Sequence, residues 1–208
     1  MSLFITLEGP EGSGKTSAIK IVKERLESLG YQIEMTREPG GTPISEQIRE
    51  VILDKRNTLM DPRTEALLYA ASRRQHLVEK IWPSLKEGKI VFCDRYLDSS
   101  LAYQGYARGL GIDEILKVND YATEGTFPDI TLLFDIDPEL GLERINKNKD
   151  REVNRLDVEK LSFHKKVREG YLLLSKKFPE RYIIVDASKP LEEVANQVFE
   201  EIIKKLGR

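Results

Sequence analysis

The sequence predicts an α/β fold built on a parallel sheet of about five strands with helices on both faces. Two observations carry this prediction. Short apolar runs alternate along the chain with amphipathic stretches, and a glycine-rich turn joins the first run to the first helical stretch. The elements follow in order. Phe4 to Leu7 reads as a strand and Ser17 to Leu29 as a helix that Gly30 ends; Ile33 to Thr36 is the second strand. Ile44 to Leu53 and Pro62 to Glu87 are helical, the second with a kink at Pro83, started by Asp61 before Pro62 and stopped by Gly88. Ile90 to Cys93 is a strand, Ile112 to Thr123 a helix and Ile130 to Phe134 a strand. Asp137 and Pro138 start the helix to Lys147, and Val158 to Phe178 is the next one. Tyr182 to Val185 and the helix Pro190 to Leu206 complete the order. No repeat or long linker divides the chain, so residues 1–208 are expected to form one domain.

Composition excludes several classes. With 208 residues, 40% of them hydrophobic and 33% charged, the chain can bury a core and is neither disordered nor fibrous. Lysine and arginine number 33 against 35 acidic residues, a net charge of −2, so no broad polyanion-binding surface and no nucleic-acid partner are expected. The single cysteine, Cys93, lies in an apolar run and reads as an inert buried thiol. The N-terminus lacks the basic region and cleavage site of a secretion signal, and no apolar run is long enough to span a membrane. A cytoplasmic protein without a membrane partner is the expectation.

The most informative stretch is Gly9-Pro10-Glu11-Gly12-Ser13-Gly14-Lys15-Thr16, followed by Ser17. It matches G-x-x-x-x-G-K-[ST], with a strand before it and a helix after it, the context in which the motif binds phosphate. Glycines let backbone N–H groups converge on phosphate oxygens, and the helix N-terminus adds positive potential. Lys15 is placed to reach the β and γ phosphates, and the Thr16 hydroxyl to ligate Mg²⁺.

Such a loop specifies a nucleotide and leaves the reaction open. A GTP-dependent switch needs N-K-x-D and D-x-x-G; Asn146-Lys147-Asn148-Lys149 and Asn148-Lys149-Asp150-Arg151 both lack the final Asp, and D-x-x-G is absent from the sequence. Asp94-Arg95-Tyr96 ends a strand at the carboxyl edge, where ligands of open α/β sheets bind. Asp94 is assigned to a Mg²⁺-bound water, or pairs with Arg95; Asp135, ending another strand, is its rival for the metal. Asp94 is preferred because the neighbouring Arg95 can serve a transferred phosphate. His76 and His164 lie in helical patterns without metal-ligand spacing and read as helix histidines.

Four motifs together carry a resemblance. The loop with its acidic Glu11, Thr36-Arg37-Glu38-Pro39-Gly40-Gly41, Tyr69-Ala70-Ala71-Ser72-Arg73-Arg74, and Asp94 to Gly105 resemble bacterial thymidylate kinases, in the family's order from Leu3 to the last helix. The resemblance implies a P-loop kinase fold and a homodimer. It also implies transfer of the γ-phosphoryl group of MgATP to dTMP, giving ADP and dTDP. Alternatives are a kinase for dUMP or UMP, and a nucleotide-binding switch that phosphorylates nothing small. By the resemblance Glu11 contacts the deoxyribose 3′-hydroxyl, and Arg49 and Arg95 hold the monophosphate, with Glu38 and Pro39 beside them. Tyr69 stacks on thymine, Arg73, Ser100 and Gln104 read its edge, and Tyr103 sits where a ribose 2′-hydroxyl would clash. Taken alone, the tyrosines would read as core residues, Ser99 and Ser100 as a helix cap, and Arg37 with Glu38 as a surface pair.

Some family members carry a catalytic arginine in the phosphate loop and others in a lid. Here Gly12 follows Glu11, so a short mobile lid over residues 143–155 is expected to supply it, with Arg151 the first candidate and Arg155 the second. Arg144 and the turn containing Ser188 and Lys189 resemble the part that contacts adenine.

Overall fold

The computed structural model describes residues 2–147, 155–156 and 159–207. Five strands, β1 (Leu3–Glu8), β2 (Ile33–Arg37), β3 (Ile90–Asp94), β4 (Ile130–Asp135) and β5 (Tyr182–Asp186), form one parallel sheet in the order β2-β3-β1-β4-β5. The chain moves from β1 to β2, returns to β3 and then crosses to β4 on the far side of β1. Strand order therefore reverses around β1, which opens a crevice at the carboxyl ends of β1 and β3.

The helices are α1 (Lys15–Ser28), α2 (Pro43–Leu53), α3 (Pro62–His76), α4 (Trp82–Lys86), α5 (Leu97–Ser100), α6 (Ile112–Thr123), α7 (Pro138–Lys147), α8 (Leu161–Lys177) and α9 (Leu191–Lys205). Alternation along β1 sorts them into two layers. Leu3, Ile5 and Leu7 pack against Ala18, Val22 and Leu26 of α1 and Val198 and Ile202 of α9. Phe4, with Val91, Cys93 and Leu133, faces Leu101, Val167, Tyr171 and Leu174 on the other side. Burial on both faces explains why β1, β3 and β4 read as continuous apolar runs, whereas the edge strands β2 and β5 are only partly covered.

Local signals act as expected at several ends. The Asp61 carboxylate accepts from the Arg63 and Thr64 N–H groups at 2.9 and 3.1 Å, capping α3 ahead of Pro62. Gly30 and Gly88 take φ of 89° and 83° just after their helices. Pro83 lies within the long helical stretch: the π-helical turn Leu77–Ile81 links α3 to α4, with the Trp82 N–H bonding to the Leu77 carbonyl, and the wider turn accommodates the missing proline donor. One feature differs from expectation. A helical stretch at Leu97–Ala107, α5 continued by π-helical turns, stands where the pattern suggested only a cap. Ser99 and Ser100 lie inside it. Among the described residues no helix is long and apolar enough to cross a membrane.

Candidate active site

The glycine-rich turn between β1 and α1 is shaped by contacts that exclude side chains. A Cβ at Gly9, whose φ is 135°, would lie 2.4 Å from the Phe134 carbonyl oxygen, and one at Gly12 would lie 2.1 Å from that of Gly141 in α7. The Lys15 ammonium folds over the loop, bonding to the Gly9 and Pro10 carbonyls at 3.3 and 3.2 Å and to the Ser13 hydroxyl at 3.2 Å. Burial, and then the nearby Arg95 charge, holds its pKa below the ordinary lysine value.

A cleft of roughly 520 Å³ opens beside this loop. Its wall includes Glu11, Lys15, Thr16, Ser17, Arg49, Asp94, Arg95 and Arg144. A smaller pocket walled by Arg73, Ser100, Tyr103 and Gln104 adjoins it, and Glu38, Tyr69, Arg95 and Leu156 line both. The expected phosphate-binding and base-reading residues thus meet in one continuous space.

Arg95 stands at the junction. Its backbone is left-handed, φ 67°, a conformation that costs a non-glycine residue about 1–3 kcal/mol and is kept where surrounding contacts impose it. Its guanidinium pairs with Glu11, lies 5.2 Å from the Tyr103 ring centroid and donates to the Ser99 and Tyr171 hydroxyls at 3.3 and 3.2 Å. Those hydroxyls in turn donate to Glu8 at 2.6 and 2.9 Å. Arg95 therefore turns away from Asp94, and the alternative pairing between these neighbours is not adopted. Asp135, the rival for a metal, is engaged by Arg168 through two bonds of 2.7 and 2.8 Å. Thr16 and Asp94 both line the cleft and offer the hard oxygen donors that suit Mg²⁺.

Arg37 and Glu38 do not pair with each other. Arg37 bonds to Glu46 at the surface, whereas Glu38 is buried and accepts from the Arg73 Nε at 2.8 Å, with His76 Nδ1 3.0 Å from its other oxygen. Successive side chains at a strand end point to opposite sides, which separates the two. Arg73 also donates to Ser100 at 3.2 Å and to Asn119, so the smaller pocket has a fixed cationic wall. His76 is a buried helix histidine bridging Glu38 and Thr36. Arg49 donates to the Pro39 carbonyl at 2.9 Å.

On the other flank Arg144 donates to the Ala187 and Ser188 carbonyls at 2.9 and 3.5 Å, joining the two segments expected at adenine. The Ser188 hydroxyl itself bonds to Asp186, and Lys189 is exposed outside the cleft wall. Arg155 departs from expectation. Its guanidinium bonds to Glu65 and, at 3.0 Å, to the Ile52 carbonyl, which ties it to α2 and α3 rather than to the phosphate loop. Arg151, and residues 148–154 of the expected lid, lie outside the described residues. Residues 143–147 belong to α7.

Glu8, Glu65 and Leu156 were not anticipated. Glu8 carries a usable signal, a carboxylate ending a strand immediately before the phosphate loop. Glu65 has none, because an acid in the first turn of a helix is ordinary dipole chemistry.

Comparison with known proteins agrees with this geometry. The thymidylate kinase family model matches residues 7–198. The chain is 61% identical over 207 residues to a thymidylate kinase of Bacillus velezensis, covering 98% of each chain. It is 60% identical over 199 residues to one of Clostridium novyi, covering 96% of this chain and 95% of that one. The crystal structure of thymidylate kinase from Ehrlichia chaffeensis matches with a TM-score of 0.79 at 32% identity, over 97% of this chain and 98% of that one. Because the similarity runs through the phosphate loop and the pocket-lining helices alike, the chain belongs to the thymidylate kinase family.

Proposed function

We propose that the chain transfers the γ-phosphoryl group of ATP to dTMP, giving ADP and dTDP, and does so as one catalytic domain in a cytoplasmic homodimer. The observation that carries this reading is the continuity of the cleft: the space beside the phosphate loop and the smaller pocket share walls at Glu38, Tyr69 and Leu156, with Arg95 at their boundary. Negative charge accumulates there during transfer, and fixed cations lower the barrier. ATP lies along Gly9–Ser17, with Lys15 on its terminal phosphates and Arg144, Ser188 and Lys189 on the adenine side. Arg49 and Arg95 hold the monophosphate, Glu11 the 3′-hydroxyl, and Tyr69, Arg73, Ser100 and Gln104 the base, beside Glu38 and Pro39. Tyr103 excludes a 2′-hydroxyl.

Thr16 and Asp94 are the residues that would hold Mg²⁺, Asp94 directly or through water; the ion, when bound, neutralises phosphate charge. Arg151 from the lid completes the cationic set. Arg155, at the end of the lid, is assigned to anchoring it to α3 through Glu65. No general base is required, since a monophosphate oxygen is largely ionised at neutral pH.

The test is ADP formation with MgATP and dTMP, dUMP, UMP, CMP, AMP or GMP at equal concentration, alongside Lys15→Ala. A strong preference for dTMP, and a loss of about a hundredfold or more in kcat for the variant, is the expected result. Turnover independent of the acceptor would return the chain to the nucleotide-switch reading.

A further inference from the structure

We propose that Glu65 is a positioning residue for base selection: it holds the Gln104 amide with its oxygen toward the base pocket, so that the pocket favours a pyrimidine carrying a ring N–H over cytosine. The inference rests on the reading of Gln104 as a base-edge contact. Glu65, in the first turn of α3, is 1% exposed, and Gln104 is 2% exposed. Gln104 Nε2 donates to Glu65 Oε1 at 2.7 Å.

The two ends of a glutamine amide are nearly the same size but opposite in hydrogen-bonding character, so shape alone does not choose between them. A carboxylate can only accept. Guanidinium groups face both Glu65 oxygens, Arg155 at Oε2 and Arg108 Nε at 3.5 Å from Oε1. Flipping Gln104 would set its carbonyl oxygen against that carboxylate in a buried site, losing a charge-assisted bond and adding repulsion. Among the described residues no donor reaches Gln104 Oε1, while the side chain lines the pocket beside Arg73.

Arg73 is a donor at every nitrogen; its Nε and Nη1 are committed to Glu38, Asn119 and Ser100, and Nη2 gives one of its two hydrogens to Ser100, which leaves the other for a ligand. The polar wall therefore combines a donor from Arg73 with an acceptor from Gln104. Thymine presents the complement, a carbonyl next to a ring N–H. Cytosine presents an amino group next to a bare ring nitrogen, which mismatches at both atoms. Without Glu65 the glutamine could turn over and serve either base.

The experiment compares kcat/KM for dTMP and dCMP in the full-length chain with MgATP. Glu65→Gln, whose amide accepts or donates, should lower the dTMP:dCMP ratio about tenfold or more, mainly through KM. Glu65→Asp, which still only accepts, should keep the ratio within about threefold of the parent. A ratio unchanged in Glu65→Gln while Gln104→Ala lowers it would overturn the positioning role. If Gln104→Ala leaves the ratio intact, the base-reading assignment itself fails. A merely structural role would lower Tm in both Glu65 variants and leave the ratio alone. Should Glu65→Gln not fold, the unmutated protein still decides: the ¹⁵N-labelled side-chain amide of Gln104, identified by its loss in Gln104→Ala, should exchange slowly with solvent, and fast exchange sinks the proposal.

Discussion

Glu8 ends β1 with no exposed surface, yet its carboxyl takes bonds from the Tyr96 N–H at 2.8 Å and from the Ser99 and Tyr171 hydroxyls. Burial, and next the charge of Asp98, outweighs these bonds and pushes its pKa from 4.5 up to about 7. The consequence for stability has a definite sign. A native acid with a raised pKa binds its proton more tightly than the unfolded chain does, so stability falls as pH rises from 4.5 to about 7 and is level above that window. Glu8→Gln removes the titration at nearly constant size, so it should flatten this fall by up to about 3 kcal/mol. Urea midpoints for both proteins near pH 5 and about pH 7.5 decide it; parallel slopes would mean that Glu8 is ionised throughout. At this scale Lys15, Thr16 and Arg95 were legible because phosphate chemistry constrains residue type and spacing together. For Glu8 the sequence shows only the position, a carboxylate ending a strand before the loop; its partners Ser99 and Tyr171 lie far along the chain, and only folding brings them to it.

Each strand continues one residue past its apolar run, and that residue is charged: Glu8, Arg37, Asp94, Asp135 and Asp186. Apolar patterning marks what the helices cover, so it stops where the sheet edge meets the cleft. The stretch Leu97–Ala107 was illegible for a related reason. Its Ser99, Ser100 and Gly105 look like loop residues, but Gly105 is small because a Cβ there would come within 3.1 Å of the Ile112 Cα. Close approach also joins α7 to the phosphate loop, since a Cβ on Gly141 would sit 2.4 Å from the Glu11 carbonyl oxygen, backbone against backbone. Gly141→Ala must therefore displace the loop or the helix that leads toward the expected lid. The expected outcome is a loss of about 1–3 kcal/mol in stability and a fall of about tenfold or more in kcat/KM for ATP. Unchanged values for both would show that α7 yields without disturbing the loop.

For the molecule as a whole, the sequence pointed to a parallel sheet but not to its strand order. The order arises from pairings such as Leu3 with Ile90 and Ile5 with Ile130, which no local pattern encodes. Helix α3 carries Glu65, Tyr69 and Arg73 on its buried side, whereas Leu67 is 58% exposed on the outside. Val78, just beyond α3, is 44% exposed, and Tyr121 of α6, the helix packed beside α3, is 92% exposed. Large exposed apolar side chains on neighbouring helices favour a partner, and in the proposed homodimer a second copy of the same surface would satisfy a twofold axis. The double variant Leu67→Glu/Tyr121→Glu places like charges across such an interface and should sediment as a monomer. Because the outer contact and the base pocket share one helix, the monomer should also show a KM for dTMP raised about threefold to tenfold, with a smaller change for ATP. A variant that keeps the parent's dimeric mass, or a parent that is itself monomeric, would place the interface elsewhere or remove it.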